Sequence, residues 1–249
     1  MSGPTVLLIG GTDSSGGAGI TRDVATLSAF GVSAAVAITA VTAQTDASVT
    51  AIHYVPPAVI AQQITTALTS RTITVIKIGM LGSTAALQMV AAALSRTRCQ
   101  LVLDPVLMSS SGALLLEEAA LAALHTLLLP HVTLLTPNIP EAAALLQTAP
   151  AADESAMLLQ ARALLELGPQ AVLMKSGHGV GPTAVDVLVT RDGGVERLSA
   201  ARLPTHLRGT GCRLASAIAA GLALQQPLLG ACSQAKRHVT EQLQQTLRS

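Results

Sequence analysis

Short runs of β-branched and aliphatic residues alternate along this chain with longer stretches in which Ala and Leu recur at helical spacing. Val6 to Ile9, Ala35 to Val41, Val75 to Ile78, Leu101 to Leu103, Thr133 to Leu135 and Ala171 to Met174 read as strands. Between them, helical patterns are predicted up to Phe30, then over Pro57 to Leu68, Thr84 to Leu94, Glu117 to Leu128, Ile139 to Leu146 and Asp153 to Leu167. Beyond Ser176 the pattern changes to two strand-like pieces, Val185 to Thr190 and Val195 to Ser199, joined by the hairpin turn Arg191-Asp192-Gly193-Gly194 and followed by two closing helices. Alternation of this kind predicts an α/β fold with a mainly parallel central sheet, joined by right-handed crossovers and covered by helices on both faces. No linker, fixed-period repeat or low-complexity block divides residues 1–249, so a single domain is expected.

Composition narrows the partners. Half of the residues are hydrophobic (50%) and only 12% are charged, as expected where most elements are covered. Fifteen basic and fourteen acidic residues leave a net charge of +1, and one Phe, one Tyr and no Trp offer no stacking platform, which argues against a nucleic-acid partner. The start, Met1-Ser2-Gly3-Pro4, lacks a basic region before a long apolar stretch, and Val6 to Ile9 is too short to span a membrane. Three widely spaced cysteines, Cys99, Cys212 and Cys232, suggest neither a disulfide framework nor a zinc cluster, and fit a reducing cytoplasm.

Two glycine-rich stretches carry the candidate chemistry. Gly10-Gly11-Thr12-Asp13-Ser14-Ser15-Gly16-Gly17-Ala18-Gly19 follows the first strand and precedes the first helix, the order of a ligand-binding crossover, but it matches neither a Walker loop nor a dinucleotide fingerprint. Gly209-Thr210-Gly211-Cys212 opens the small, apolar helical run Leu214 to Leu224. There, backbone N–H groups and the helix dipole favour an anion, and the cysteine is a potential proton acceptor. Taken alone, those four residues are equally compatible with a buried helix start whose cysteine packs as a small hydrophobe. Three strand ends carry polar residues toward one edge: Asp104, Asn138 and Lys175. Asn138 with Glu141 also reads as a helix cap, and Asp104 with Lys175 as a structural bridge.

Taken together, the motifs Gly11–Ile20, Thr42-Ala43-Gln44, Lys77-Ile78-Gly79-Met80-Leu81, Leu103-Asp104-Pro105-Val106, Thr136-Pro137-Asn138-Ile139-Pro140-Glu141-Ala142, Lys175-Ser176-Gly177-His178 and Gly209-Thr210-Gly211-Cys212 resemble the hydroxymethylpyrimidine and phosphomethylpyrimidine kinases of thiamine biosynthesis. These belong to the ribokinase-like superfamily, which also contains pyridoxal kinases. The resemblance implies a homodimeric enzyme that uses ATP and Mg2+ to phosphorylate a small pyrimidine. It implies that Gly11, Asp23, Gln44, Met80 and Val106 surround the pyrimidine, with Gln44 reading its polar edge, although Asp23 is equally compatible with an exposed helix position. It further implies that Asn138 and Glu141 serve the metal and its waters and that Cys212 takes the hydroxyl proton above the Gly209-Thr210-Gly211 cradle. Asp104 and Lys175 are assigned to the nucleotide and magnesium side, and Arg208, at a point of departure from the family pattern, to the nucleotide.

At a helix N-terminus the Cys212 thiol is expected to have a lowered pKa. Two departures stand out: Leu107-Met108-Ser109-Ser110-Ser111-Gly112 lacks the usual lysine, and His206-Leu207-Arg208 replaces the usual Asn-Thr-His. Arg208 or Arg213 is then the candidate phosphate clamp. A pyridoxal kinase and a noncatalytic pyrimidine-binding relative remain as alternatives.

Overall fold

The structure, a computed structural model, describes residues 3–107, 115–117, 119–177, 181–205 and 207–248. Among these, the strands are β1 (Thr5–Asp13), β2 (Ser33–Gln44), β3 (Val49–Tyr54), β4 (Ile73–Ile78), β5 (Gln100–Leu103), β6 (Leu134–Leu135), β7 (Ala171–Met174), β8 (Thr183–Thr190) and β9 (Val195–Ala201). They form one nine-stranded sheet in the order β3-β2-β1-β4-β5-β6-β7-β8-β9. From β2 to β7 every neighbouring pair is parallel, and β3, β8 and β9 add antiparallel edges.

Strand residues divide by parity, because successive side chains point to opposite faces. Leu7, Ile9, Ile76, Ile78, Leu101 and Leu103 pack on one face, against α2 (Pro57–Ser70), α3 (Thr84–Leu94) and α6 (Glu154–Glu166). Val6, Leu8, Val75, Val102 and Leu134 pack on the other, against α1 (Gly19–Ala29), α7 (Thr210–Ala223) and α8 (Leu228–Thr246). Each fully buried Leu, Ile or Val contributes about 1.5–3 kcal/mol, so both faces hold the sheet in place.

Every predicted strand and helix is present, with three differences. The first strand runs four residues further than its apolar core, because Gly10 and Thr12 pair with Ile38 and Val41 of β2 across an irregularity in register. The glycine-rich turn is thereby shortened. Strand β3 was not expected; it is largely exposed and shows no apolar face. The helix expected from Glu117 begins at Ala120 as α4 (Ala120–Ala123) and continues through a wide turn, Leu124–Leu128, and a tight one, Leu129–His131. Glu117 lies before it and accepts hydrogen bonds from the Thr84 N–H (3.0 Å) and hydroxyl (2.9 Å), so its carboxylate caps α3.

Candidate active site

The parallel strands end side by side, and backbone hydrogen bonds continue past them. The Gly79 N–H donates to Ile9 O (2.8 Å), Asp104 N–H to Ile78 O (2.9 Å), Thr136 N–H to Leu103 O (2.9 Å) and Lys175 N–H to Pro137 O (2.9 Å). This stitching fixes the residues after each strand in one row, so the polar groups expected at the carboxyl edge meet there. They line a cavity of about 690 Å³ that runs from Gln44 and Met80 to the groove between β9 and α8. All fourteen predicted site residues border it: Gly11, Asp23, Gln44, Met80 and Val106; Asp104, Lys175 and Arg208; Asn138 and Glu141; and Gly209, Thr210, Gly211 and Cys212.

At the uncharged end, Met80, Leu115 and Ala40 form a small apolar cluster, separate from the two main cores, with Val106 and Ile52 packed against it. Gly11 borders Met80 closely; a Cβ there would fall 2.8 Å from the sulfur. Gln44 closes this end. Its backbone N–H donates to Ser14 Oγ (2.8 Å), which in turn donates to Gln44 O (2.9 Å). Its side-chain oxygen lies 3.2 Å from Thr42 Oγ1, and its amide nitrogen has no partner among the described residues, leaving two donors for a ligand edge.

Toward the middle lies a buried ion pair. Asp23 is not an exposed helix residue: it and Lys77 are each 1% exposed, with Lys77 Nζ 2.8 Å from Asp23 Oδ2, and the Ser216 hydroxyl donates to the other oxygen at 2.8 Å. Burial alone would lower the Lys77 pKa, but Asp23, Cys212 and Asp104 outweigh it and hold the lysine protonated, above the ordinary lysine range. Lys77 was quoted in the sequence motif without a role. A lysine inside the apolar strand Ile73–Ile78 was itself the signal that a buried partner must exist.

Helix α7 starts at Gly209, whose left-handed φ of 69° suits glycine. A Cβ there would also collide with the Gly17 carbonyl oxygen, so the two glycine-rich stretches lie directly against each other. A Cβ on Gly211 would approach Lys175 Nζ to 3.3 Å and Asp104 Oδ2 to 3.5 Å. The open N-terminus of α7 and the Lys175 ammonium therefore face one small space, a fit for phosphate oxygens. Cys212 corrects the expectation of an acidified thiol: its pKa is pushed up to about 11. Burial is the main cause; Lys77 and the Gly19 N–H oppose it, while Asp23 and Asp104 add to it. The helix start alone did not reveal those two carboxylates.

Lys175 Nζ lies 2.8 Å from Asp104 Oδ1 and 3.9 Å from Glu141 Oε2. Burial works against the charge on Lys175, yet the two acids raise its pKa to about 12. Asn138 and Glu141 do form a capping box on α5 (Ile139–Leu146), with Asn138 N–H to Glu141 Oε2 at 2.7 Å and Glu141 N–H to Asn138 Oδ1 at 2.8 Å. Burial raises the Glu141 pKa to about 7 against the pull of Lys175, with Asp104 adding to the rise. Above that pH one ammonium faces two carboxylates, a negative excess that a cation would relieve. Among the described residues no group of three or more His, Cys, Asp or Glu side chains forms a metal cage.

Arg208 does not point toward this end. Its guanidinium is paired with Asp13 (3.2 Å) and Asp46 (2.8 Å), at the glycine turn. Asp13, to which no role was assigned from sequence, organises that turn by accepting hydrogen bonds from the Ser15 N–H and hydroxyl (2.8 Å each) and the Ala18 N–H (2.9 Å). Arg213 is buried away from the cavity lining and makes no ion pair among the described residues. Residues 108–112 of the lysine-free stretch, His178 and His206 lie outside the described residues.

Residues 13–249 match the family model described as phosphomethylpyrimidine kinase. A hydroxymethylpyrimidine/phosphomethylpyrimidine kinase from Rhizobium meliloti (strain 1021) is 42% identical over 234 residues, 94% of this chain and 88% of the relative. The crystal structure of a phosphomethylpyrimidine kinase from Clostridium difficile 630 superposes with a TM-score of 0.84 at 35% identity, covering 96% of this chain and 98% of that one. A pyridoxal kinase from Staphylococcus aureus, solved with AMP-PCP and pyridoxal, has a TM-score of 0.88 at 26% identity, covering 98% and 88%. The ribokinase-like fold expected from the sequence is thereby borne out.

Proposed function

The chain belongs to the phosphomethylpyrimidine kinase family of phosphotransferases, and from that premise we propose that it uses ATP and Mg2+ to phosphorylate the hydroxymethyl group of 4-amino-5-hydroxymethyl-2-methylpyrimidine, and then its monophosphate, in thiamine biosynthesis. The observation that carries this reading is the continuity of the cavity: an apolar, Gln44-edged end and an anion-favouring helix start open into one space.

Met80 and Val106 hold the ring by its apolar faces, and the free Gln44 amide hydrogens meet its ring-nitrogen edge. The hydroxymethyl oxygen then faces the α7 cradle. Its attack forms a new O–P bond as the bond to the ADP leaving group breaks. Little proton abstraction is required before attack, because phosphoryl transfer is loose and dominated by positioning and charge stabilisation. The hydroxyl proton passes to Cys212 Sγ in its minor thiolate form, which burial, Asp23 and Asp104 disfavour and Lys77 and the Gly19 N–H partly restore. Lys175 and the N–H groups of residues 210–212 stabilise charge on the transferring group. Glu141 and Asn138 would hold Mg2+, which would supply positive charge to neutralise phosphate oxygens and offset the carboxylates.

The test is an ATP- and Mg2+-dependent assay with hydroxymethylpyrimidine and pyridoxal in parallel, with products resolved by mass spectrometry. Pyrimidine mono- and diphosphate are expected. Monophosphate alone removes the second step, preferential pyridoxal phosphate replaces the substrate assignment, and pyrimidine binding without product removes the catalytic one.

A further inference from the structure

Arg208 stands immediately before the glycine that opens α7, and its guanidinium reaches back to the first strand and turn of the chain. Nη1 donates to Ser15 Oγ and to Asp46 Oδ1, each at 2.8 Å, and Nη2 donates to Asp13 Oδ2 at 3.2 Å. The side chain is 12% exposed, against 3% for Asp13 and 86% for Asp46. The backbone of the turn packs flat beneath it: a Cβ on Gly17 would lie 3.0 Å from Nη1. Asp46 sits in the link between β2 and β3, two residues beyond Gln44, and the same turn grips the Gln44 backbone through Ser14. One rigid, planar cation therefore joins three segments: the entry to α7, the turn at residues 13–18 and the link at 44–48.

We propose that Arg208 is a positioning residue for the pyrimidine, holding the Gln44-bearing link and the glycine turn at a fixed distance from the phosphoryl cradle instead of binding nucleotide phosphates. The inference rests on the pyrimidine-kinase reading above. A guanidinium carries five N–H donors in a fixed fork; both Nη1 hydrogens and one Nη2 hydrogen go to Ser15, Asp46 and Asp13, and two of these partners are acids that already neutralise the charge a phosphate would seek. The geometry also explains why the interaction is directional. A lysine at 208 could satisfy one of these oxygens but could not span all three.

The test compares Arg208→Ala, Arg208→Lys and Asp46→Asn in the full chain. The readouts are KM for pyrimidine and for ATP measured separately, and hydrogen exchange of residues 13–18 and 44–48 without ligand. Arg208→Ala is expected to raise the pyrimidine KM about tenfold, with the ATP KM within about twofold, and to speed exchange in both segments. Arg208→Lys should recover only part of the loss, and Asp46→Asn should raise the pyrimidine KM roughly two- to threefold, because that carboxylate is solvated. A rise in the ATP KM with the pyrimidine KM unchanged would overturn the proposal in favour of a phosphate contact. Unaltered exchange in both segments would overturn the clamp. If the unsubstituted chain phosphorylates no pyrimidine, the functional reading falls, while the exchange data still decide whether Arg208 joins the two segments.

Discussion

Two buried lysine–aspartate pairs, Lys77–Asp23 and Lys175–Asp104, share the same 2.8 Å contact, yet they sit in opposite circumstances. The first is sealed, with both side chains at 1% exposure and the second Asp23 oxygen satisfied by Ser216. Both pairs border the cavity, but the second keeps 12% exposure on its lysine and has a further carboxylate, Glu141, 3.9 Å away. The sealed pair is balanced and finished; the open pair carries one acid too many. Charge left unbalanced beside a cavity is what a kinase needs where cation and phosphate are to arrive, whereas balanced charge under the floor holds α1, β4 and α7 in register.

Breaking the sealed pair should give the largest effect. Lys77→Met leaves Asp23 buried without its cation and is expected to cost about 3–5 kcal/mol, read from urea unfolding. A loss below about 1 kcal/mol would mean that water reaches the pair after all.

Glu141 sharpens the contrast through pH. The folded protein keeps a proton on this carboxyl up to about pH 7, whereas an ordinary glutamate releases it near 4.5. The native state thus binds more protons across that window, and stability should fall as pH rises from 4.5 to about 7, then level off. The drop is on the order of 3 kcal/mol in the absence of divalent ions. Glu141→Gln should flatten that slope, since no charge can form; an unchanged slope would assign it to another group.

The smallest effect belongs to a surface reference. Arg197–Glu154 has a 2.6 Å contact, but its side chains are 62% and 35% exposed. Glu154→Gln should change stability by less than about 0.5 kcal/mol. A larger loss would show that contact distance alone, without burial, governs these pairs.

Much of this was legible in the sequence because it rests on local pattern. Apolar runs bounded by turns marked the parallel strands, and the polar residues just after them had nowhere to go but the shared edge, so Asp104, Asn138 and Lys175 were foreseeable there. Strand β3 was not, because a largely exposed edge strand needs no strict apolar alternation; only its β-branched and aromatic residues, Val49, Thr50, Ile52 and Tyr54, hinted at it. The Cys212 thiol was misread because a helix N-terminus is local, while the burial that chiefly raises its pKa, and Asp23 and Asp104 that add to the rise, come from the assembled fold. Arg208 was assigned to phosphate on its sequence neighbourhood, and its actual partners, Asp13 and Asp46, are brought to it by tertiary structure alone.

The Ser216 hydroxyl on Asp23 has a consequence for synthesis. The carboxylate belongs to α1, the ammonium to the central strand β4 and the hydroxyl to α7, 193 positions after Asp23. A nascent chain that has not yet reached Ser216 cannot close that three-way contact. The floor of the site is therefore completed only once α7 has been made, and a chain that stops before it, whatever sheet it has already assembled, carries the acid and the base of this pair without their final lock.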